Sequence, residues 1–216
     1  MKGNLIIISS PSGGGKGTLI KRILQILPNI GYSISFTTRE TRVGETSGVD
    51  YFFVSRAEFE GLIENGALLE YAAVHENFYG TSIEQVKAQI EAGHDVILEI
   101  DVQGAESVLA KVPEAVSIFI LPPSYQVLEA RLTARATEKI DHLTLRLRNS
   151  FGEVSRFDQF KYVVINDEVE QATRDLQTII TAERLRCDRQ TSAIQSIVSS
   201  FDEAKKSKNQ VNGEQI

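Results

Sequence analysis

Ser9-Ser10-Pro11-Ser12-Gly13-Gly14-Gly15-Lys16-Gly17-Thr18 follows directly on the apolar run Leu5-Ile6-Ile7-Ile8. Such a short β-rich run suits a parallel strand covered on both faces. Beyond the loop, Leu19, Ile20, Ile23, Leu24 and Leu27 recur at helical spacing before Pro28. Strand, glycine-rich loop and helix in that order make a turn whose backbone N–H groups converge on a phosphate, with Lys16 reaching the outer phosphates. The strict GxxxxGK[ST] pattern is broken twice, by Ser10 where the first glycine belongs and by Gly17 where a metal-facing hydroxyl belongs. An ordinary glycine-rich βα turn is the alternative, but such turns seldom need three successive glycines and a lysine at the helix start.

The chain has 216 residues, 42% hydrophobic and 24% charged, which suits one principal globular domain with inserted lobes. A formal net charge of −6 argues against broad binding to nucleic acid or an anionic membrane. Small anions can still be held by local arginines. Cys187 is the only cysteine, so neither an intrachain disulfide nor a thiolate-rich zinc site can form, and His75, His94 and His142 lack metal-ligand spacing. Met1-Lys2-Gly3-Asn4 passes straight into the first strand, which makes the cytoplasm the expected location. A homo-oligomer is left open.

Further strands are expected at Asn4 to Ser9, Asp95 to Ile100, Val116 to Leu121 and Tyr162 to Ile165, with helical patterns between or after them. That alternation predicts an α/β fold with a largely parallel sheet. Between about Ser33 and Val74, short strands at Ser33 to Thr37, Tyr51 to Val54 and Leu68 to Val74 surround a charged, turn-rich loop and read as an inserted lobe. Ser55-Arg56-Ala57-Glu58 is a capping box opening a helix through Ile63, and Ser82 with Gln85 opens another that closes at Gly93. After Pro122-Pro123-Ser124, the arginine-rich stretch Tyr125 to Glu153 suits a mobile, solvated helical lid more than a core helix. A last amphipathic helix is expected over Glu168 to Arg186, and the polar Lys205 to Ile216 is expected to be frayed or disordered.

Three constellations can carry chemistry. Arg39 and Arg42, with hydroxyl donors nearby, suit bidentate capture of a phosphate dianion, although two arginines in a turn are often only solvated. Glu70 interrupts the apolar strand Leu68-Leu69-Glu70-Tyr71-Ala72; it is either the polar face of a half-buried strand or a pocket carboxylate able to accept the paired N1–H and N2–H2 donors of guanine. Glu99 and Asp101 end an apolar strand, where a carboxylate organises Mg2+ or its waters near a phosphate loop; Asp101 can equally be a helix cap. Arg131, Arg135, Arg146 and Arg148 lie in the lid stretch.

Taken together, Ser10 to Lys16, Thr37-Thr38-Arg39 through Arg42-Val43-Gly44-Glu45, Gly48-Val49-Asp50-Tyr51-Phe52-Phe53, Glu70-Tyr71-Ala72, Tyr79-Gly80-Thr81, Glu99 to Gly104 and Leu121 to Ser124 resemble guanylate kinase in order and spacing, from about Leu5 to Arg186. The resemblance implies a P-loop kinase core with a five-stranded parallel sheet, a GMP-binding lobe and a lid, acting on ATP and GMP with Mg2+. The implied division is core 1–34, 82–124 and 154–186, GMP-binding lobe 35–81, lid 125–153, and a C-terminal helical extension with a polar tail over 187–216. It implies ATP contacts at Ser12, Gly13, Gly14, Gly15, Lys16, Gly17 and Thr18, with Asn166 touching adenine. Ser35, Arg39, Arg42, Tyr51 and Tyr79 would hold GMP's phosphate, with Glu45 also in the GMP site, while Glu70, Thr81 and Asp101 would read guanine. Lys16, Arg39, Arg131, Arg135 and Arg146 would serve the transfer. Mg2+ would be held mainly through phosphates and water, with Thr18, Glu99 or Asp101 as candidate helpers.

Two departures stand out: Gly17 replaces the family's Ser or Thr, although Lys-Gly-Thr is similar to the adenylate kinase loop, and Ala136 stands where the lid usually has glycine. Non-catalytic scaffold domains of related sequence typically lose the loop lysine and lid arginines, which are present here. A related kinase with another acceptor is the remaining alternative, and Glu70, Thr81 and Asp101 favour guanine over it.

Overall fold

The computed structural model describes residues 2–74, 76–134 and 140–213. In chain order these form β1 (Leu5–Ser9), α1 (Lys16–Ile26), β2 (Ile30–Tyr32), β3 (Phe36–Thr37), β4 (Phe52–Phe53), α2 (Arg56–Glu64), β5 (Leu68–Val74), β6 (Asn77–Ser82) and α3 (Ile83–Glu91). There follow β7 (Asp95–Glu99), α4 (Val102–Lys111), β8 (Val116–Leu121), α5 (Tyr125–Ala134), α6 (Ile140–Val154), β9 (Tyr162–Ile165), α7 (Val169–Arg184) and α8 (Thr191–Gly213).

β1 is buried on both faces, which explains its unbroken apolar run. Ile6 and Ile8 pack with Leu19, Ile20 and Ile23 of α1 and with Ala172, Leu176 and Ile180 of α7. Leu5 and Ile7 face a second core made with Val86 of α3 and Val102, Ala105 and Val108 of α4. The principal sheet has five strands in the order β2-β7-β1-β8-β9, every neighbouring pair parallel. The carboxyl ends of its strands therefore lie along one edge, where such sheets place their ligands.

A second sheet runs β4-β3-β6-β5, with β3 antiparallel to β6 and β6 antiparallel to β5. Its β5 shifts register between Leu68 and Glu70, so that Glu70 comes to lie opposite Thr81. A bulge of this kind re-aims the side chains that follow it. Leu68, Leu69 and Glu70 are accordingly all buried in succession, against the strict alternation of a regular strand.

Several sequence expectations change. Ile30–Tyr32 is an edge strand of the main sheet and Asn77–Ser82 a full strand of the second, neither of which was expected. Both carry a glycine and gain their extended form from pairing with β7 and β5. The tail is corrected over residues 205–213, which continue α8 through Gly213; Ala204, Lys205 and Lys206 are good helix formers, and exposure alone does not unwind them. Residues 214–216 lie outside the described residues. Within the stretch Tyr125 to Glu153, α5 is not solvated all round: it buries Leu128 and Leu132 against the glycine-rich loop, while Tyr125, Gln126, Glu129, Ala130, Thr133 and Ala134 are exposed. The capping box forms as expected, with Ser55 and Glu58 each accepting from the other's backbone.

Candidate active site

The loop after β1 ends at Gly15, which caps α1 with φ of 92°, a left-handed conformation that favours glycine. A Cβ there would also run into the amide nitrogen of Asn166, whose Nδ2 donates to Gly14 O at 2.9 Å. α1 has no acidic residue in its first turn and no side-chain cap, so the positive end of its dipole favours an anion. Lys16 opens α1 and donates from Nζ to Ile100 O at 3.0 Å. Burial pulls its pKa down, and Glu99, Asp101 and Glu153 oppose the shift. These three carboxylates and residues 10–18 line a cavity of about 480 Å3. All seven residues expected to meet ATP's phosphates, Ser12 to Thr18, are thus gathered around one hollow.

Glu99 lies at the carboxyl end of β7 and accepts from the Tyr32 hydroxyl at 3.2 Å. A Cβ on Gly17 would stand 3.6 Å from Glu99 Oε1 without any closer neighbour. The position that lacks a hydroxyl is therefore next to a carboxylate.

In the second sheet, Arg39 is enclosed by aromatic rings and one acid. Its Nη2 donates to Glu45 Oε1 at 2.7 Å, and its guanidinium carbon is 5.4 Å from the Tyr51 ring and 5.6 Å from the Phe53 ring. Tyr79 lies close enough to Arg39 to favour its charge, and its ring meets Tyr51 edge-on at 5.8 Å. Glu45 accepts from the Arg42 backbone N–H at 2.8 Å, while the Arg42 residue itself is exposed. The Arg39 bond holds Glu45's carboxyl below the ordinary glutamate value. Ser35 takes its place through its carbonyl, which accepts from Phe52 N at 2.9 Å. Arg39, Tyr51 and Tyr79 therefore form a cationic, hydroxyl-bearing cluster of the type that binds a phosphate dianion.

Glu70 is only 6% exposed and accepts from the Thr81 hydroxyl at 2.7 Å. Burial lifts its pKa above the ordinary value; the Thr81 bond and Lys111 act the other way, and Asp101 adds to the rise. Asp101 caps α4, accepting from Gly104 N at 2.7 Å. A Cβ on Gly104 would lie 3.3 Å from Asp101 Oδ1 and 3.4 Å from Glu70 Oε2. Glu70, Thr81 and Asp101 thus converge at the start of α4, and Asp101 also lines the loop cavity. As a helix cap, Asp101 joins the two halves of the site.

The remaining expected residues are less concentrated. Asn166, expected at adenine, is only 2% exposed and lies behind the loop, holding Gly14. Arg131 donates from Nη2 to Asn166 O at 2.9 Å, and its buried Nη1 has no protein acceptor among the described residues. Arg146 is partly buried on α6 and lines neither the loop cavity nor its neighbour. Arg135 and Ala136 lie outside the described residues.

Sequence reasoning overlooked Glu153, which accepts from Ser12 N at 3.2 Å. Its one sequence signal is a carboxylate in the last turn of a helix, where the dipole disfavours it. Arg148, to which no role was given, lines an adjoining cavity of about 500 Å3 with Asp101, Gln103 and Glu153.

The guanylate kinase family model matches residues 2–183. The chain is 50% identical to the guanylate kinase of Neisseria gonorrhoeae over 197 residues, covering 91% of this chain and 96% of that one. It is 46% identical to the guanylate kinase of Carboxydothermus hydrogenoformans over 185 residues, 86% of this chain and 91% of the relative. The crystal structure of guanylate kinase from Anaplasma phagocytophilum superposes with a TM-score of 0.74 at 34% identity, covering 93% of this chain and 96% of that one. The P-loop core, the five-stranded parallel sheet and this level of likeness agree, and the chain belongs to the guanylate kinase family.

Proposed function

We propose that the chain works as a guanylate kinase, moving the γ-phosphoryl group of ATP to a phosphate oxygen of GMP and giving ADP and GDP, with dGMP as a further acceptor. The observation that carries this reading is the double placement of Asp101. It lines the phosphate-loop cavity and stands beside Glu70 and Thr81, so a donor at the loop and a guanine at Glu70 would share one edge of the sheet.

In this reading Ser12 to Thr18 hold ATP's phosphates, with Lys16 as their cation. Ser35, Arg39, Arg42, Tyr51 and Tyr79 hold the phosphate of GMP, and Glu45 sets Arg39's orientation through their ion pair. Glu70 accepts from guanine's N1–H and N2–H2, with Thr81 and Asp101 completing the set. Adenine presents an acceptor at N1 and would face Glu70 with like polarity. Residues 35–81 form the GMP-binding lobe and 125–153 the lid, with Arg131, Arg135 and Arg146 countering charge on the transferring group.

No side-chain nucleophile is required, because a GMP phosphate oxygen is the acceptor. Catalysis then rests on in-line placement, charge neutralisation and exclusion of water. Mg2+ fits the residues present as a water-held ion. Among the described residues no group of three or more acidic, histidine or cysteine side chains could cage a metal, whereas Glu99 and Asp101 both face the loop cavity. Mg2+ dehydrates reluctantly and is usually held by one or two carboxylates, substrate phosphates and several waters. Glu99 and Asp101 would hold it through water, and Thr18 would contribute from the helix start. Bound with ATP, the ion would neutralise phosphate charge.

The test is a phosphorus NMR time course on ATP, GMP and Mg2+. Growth of GDP and ADP in equal amounts supports the reading, with Lys16→Met reducing the rate by about a hundredfold or more, as for lost transition-state charge stabilisation. ATP loss without GDP would refute it.

A further inference from the structure

Glu153 sits in the last turn of α6 under three unfavourable influences. It is half-buried, and burial lifts its carboxyl above the ordinary glutamate value. Asp101 repels it, and the C-terminal end of a helix carries the negative pole of the dipole. One contact holds it there nevertheless, Ser12 N–H donating to Oε2 at 3.2 Å, and the charge of Lys16, which lines the same cavity, favours the carboxylate from a distance. Both belong to the phosphate loop, whose N–H groups and lysine are matched to an anion. Glu153 and Asp101 line both the loop cavity and the adjoining one, so the carboxylate stands at the border between them.

We propose that the Glu153 carboxylate is a built-in substitute for a nucleotide phosphate, occupying Ser12 N–H in the cavity that Lys16 also lines until ATP displaces it. This rests on the assignment of ATP to the loop. Glu153 is a positioning residue, because it acts through the loop and not on the reacting atoms. Two residues before it, Phe151 stacks on Tyr125 of α5 with ring centroids 5.3 Å apart and planes 15° apart. Displacing Glu153 therefore moves the end of α6 that is fastened to α5, the helix that covers Gly13 with Leu128 and Leu132. Arrival of phosphate at the loop is in this way transmitted to the helices carrying Arg131 and Arg146.

A competing internal ligand lowers apparent affinity by the fraction of molecules left open; if about a tenth are open, removing it tightens binding up to about tenfold. The experiment is calorimetric titration of the full chain and its Glu153→Gln and Glu153→Ala variants with ATP, inorganic tripolyphosphate and adenosine. The expected result is ATP and tripolyphosphate binding about threefold to tenfold tighter in both variants, with adenosine unchanged. A residue that merely props the loop gives the opposite sign, and unchanged or weaker binding of both phosphate ligands by either folded variant overturns the proposal. Should the Glu153→Ala variant fail to fold, the near-isosteric Glu153→Gln variant decides, together with the ring resonances of Phe151, which report release of the end of α6 from α5. Those resonances should shift in the variant in the same direction as on adding ATP to the wild type, and a shift in the opposite direction counts against the proposal. Lys16→Met separates the two claims: undiminished ATP binding there removes ATP from the loop, whereas failure at Glu153 alone leaves that assignment intact.

Discussion

Glu70→Gln should weaken GMP binding and strengthen the fold in the same molecule. Guanine offers two adjacent N–H donors, and Glu70 offers two carboxylate oxygens, one already receiving the Thr81 hydroxyl at 2.7 Å. Hydrogen bonds to a charged acceptor are worth about 1.5–3 kcal/mol, against about 0.5–1.5 for neutral pairs. The amide keeps one acceptor and turns an NH2 toward guanine's donors. The expected loss is about 1.5–3 kcal/mol, or roughly 10- to 150-fold in KM for GMP, with KM for ATP unchanged. Stability moves the other way. Burial, against the Thr81 bond and Lys111, holds Glu70's pKa above its ordinary value of about 4.3. As pH rises from that value through the folded one, the unfolded chain releases its proton first, so ionisable Glu70 costs stability there and at neutral pH. Below about pH 4 both states are protonated and the cost disappears. Steady-state kinetics and thermal melts from pH 4 to pH 7 test both halves (roughly the span of that titration). The variant should have the higher Tm at neutral pH, with the gap closing on acidification. An unchanged KM for GMP, or a lower Tm at neutral pH, would refute the reasoning.

Gly17→Ser places a hydroxyl beside Glu99 without a clash, the new Cβ standing 3.6 Å from Oε1; a severalfold fall in the Mg2+ concentration for half-maximal rate is expected, and an unchanged Mg2+ dependence counts against that geometry. Arg39→Lys keeps the charge but not the fork that meets Glu45 and the Tyr51 face, so KM for GMP should rise about tenfold; wild-type kinetics would show that a point charge suffices. Asn166→Ala removes the bond to Gly14 O and should raise KM for ATP by roughly 2- to 12-fold with GMP untouched, the worth of one neutral hydrogen bond. A change confined to GMP would contradict its place behind the loop.

The β1-loop-α1 unit was legible because each part has its own local signal: an unbroken apolar run, consecutive glycines, then helical periodicity. β8 and β9 were legible for the same reason, and their bounds agree with the sequence expectation. β2 and β6 were not, since Gly31 and Gly80 weaken local strand preference and the extended form comes from partners distant in sequence. Glu70 stayed ambiguous between strand face and pocket because the bulge at Leu68/Glu70 is invisible to a period-two reading. Glu153 and Asn166 depended on where α6 and the end of β9 pack against the loop, a tertiary fact that spacing does not encode. The charged residues of α5 concealed Leu128 and Leu132, whose burial needs Gly13 as a partner.

The central claim is that one edge of the sheet joins a phosphate donor to a guanine-bearing acceptor. A coupled assay of ADP formation, with ATP and Mg2+ held constant and GMP, dGMP, AMP, UMP and CMP offered in turn, tests it most directly. The account predicts turnover with GMP and dGMP and a kcat/KM for AMP lower by about a hundredfold or more, the discrimination expected when a buried hydrogen-bonding set meets the wrong base. Equal rates with AMP and GMP would contradict it, as would no ADP formation with any acceptor.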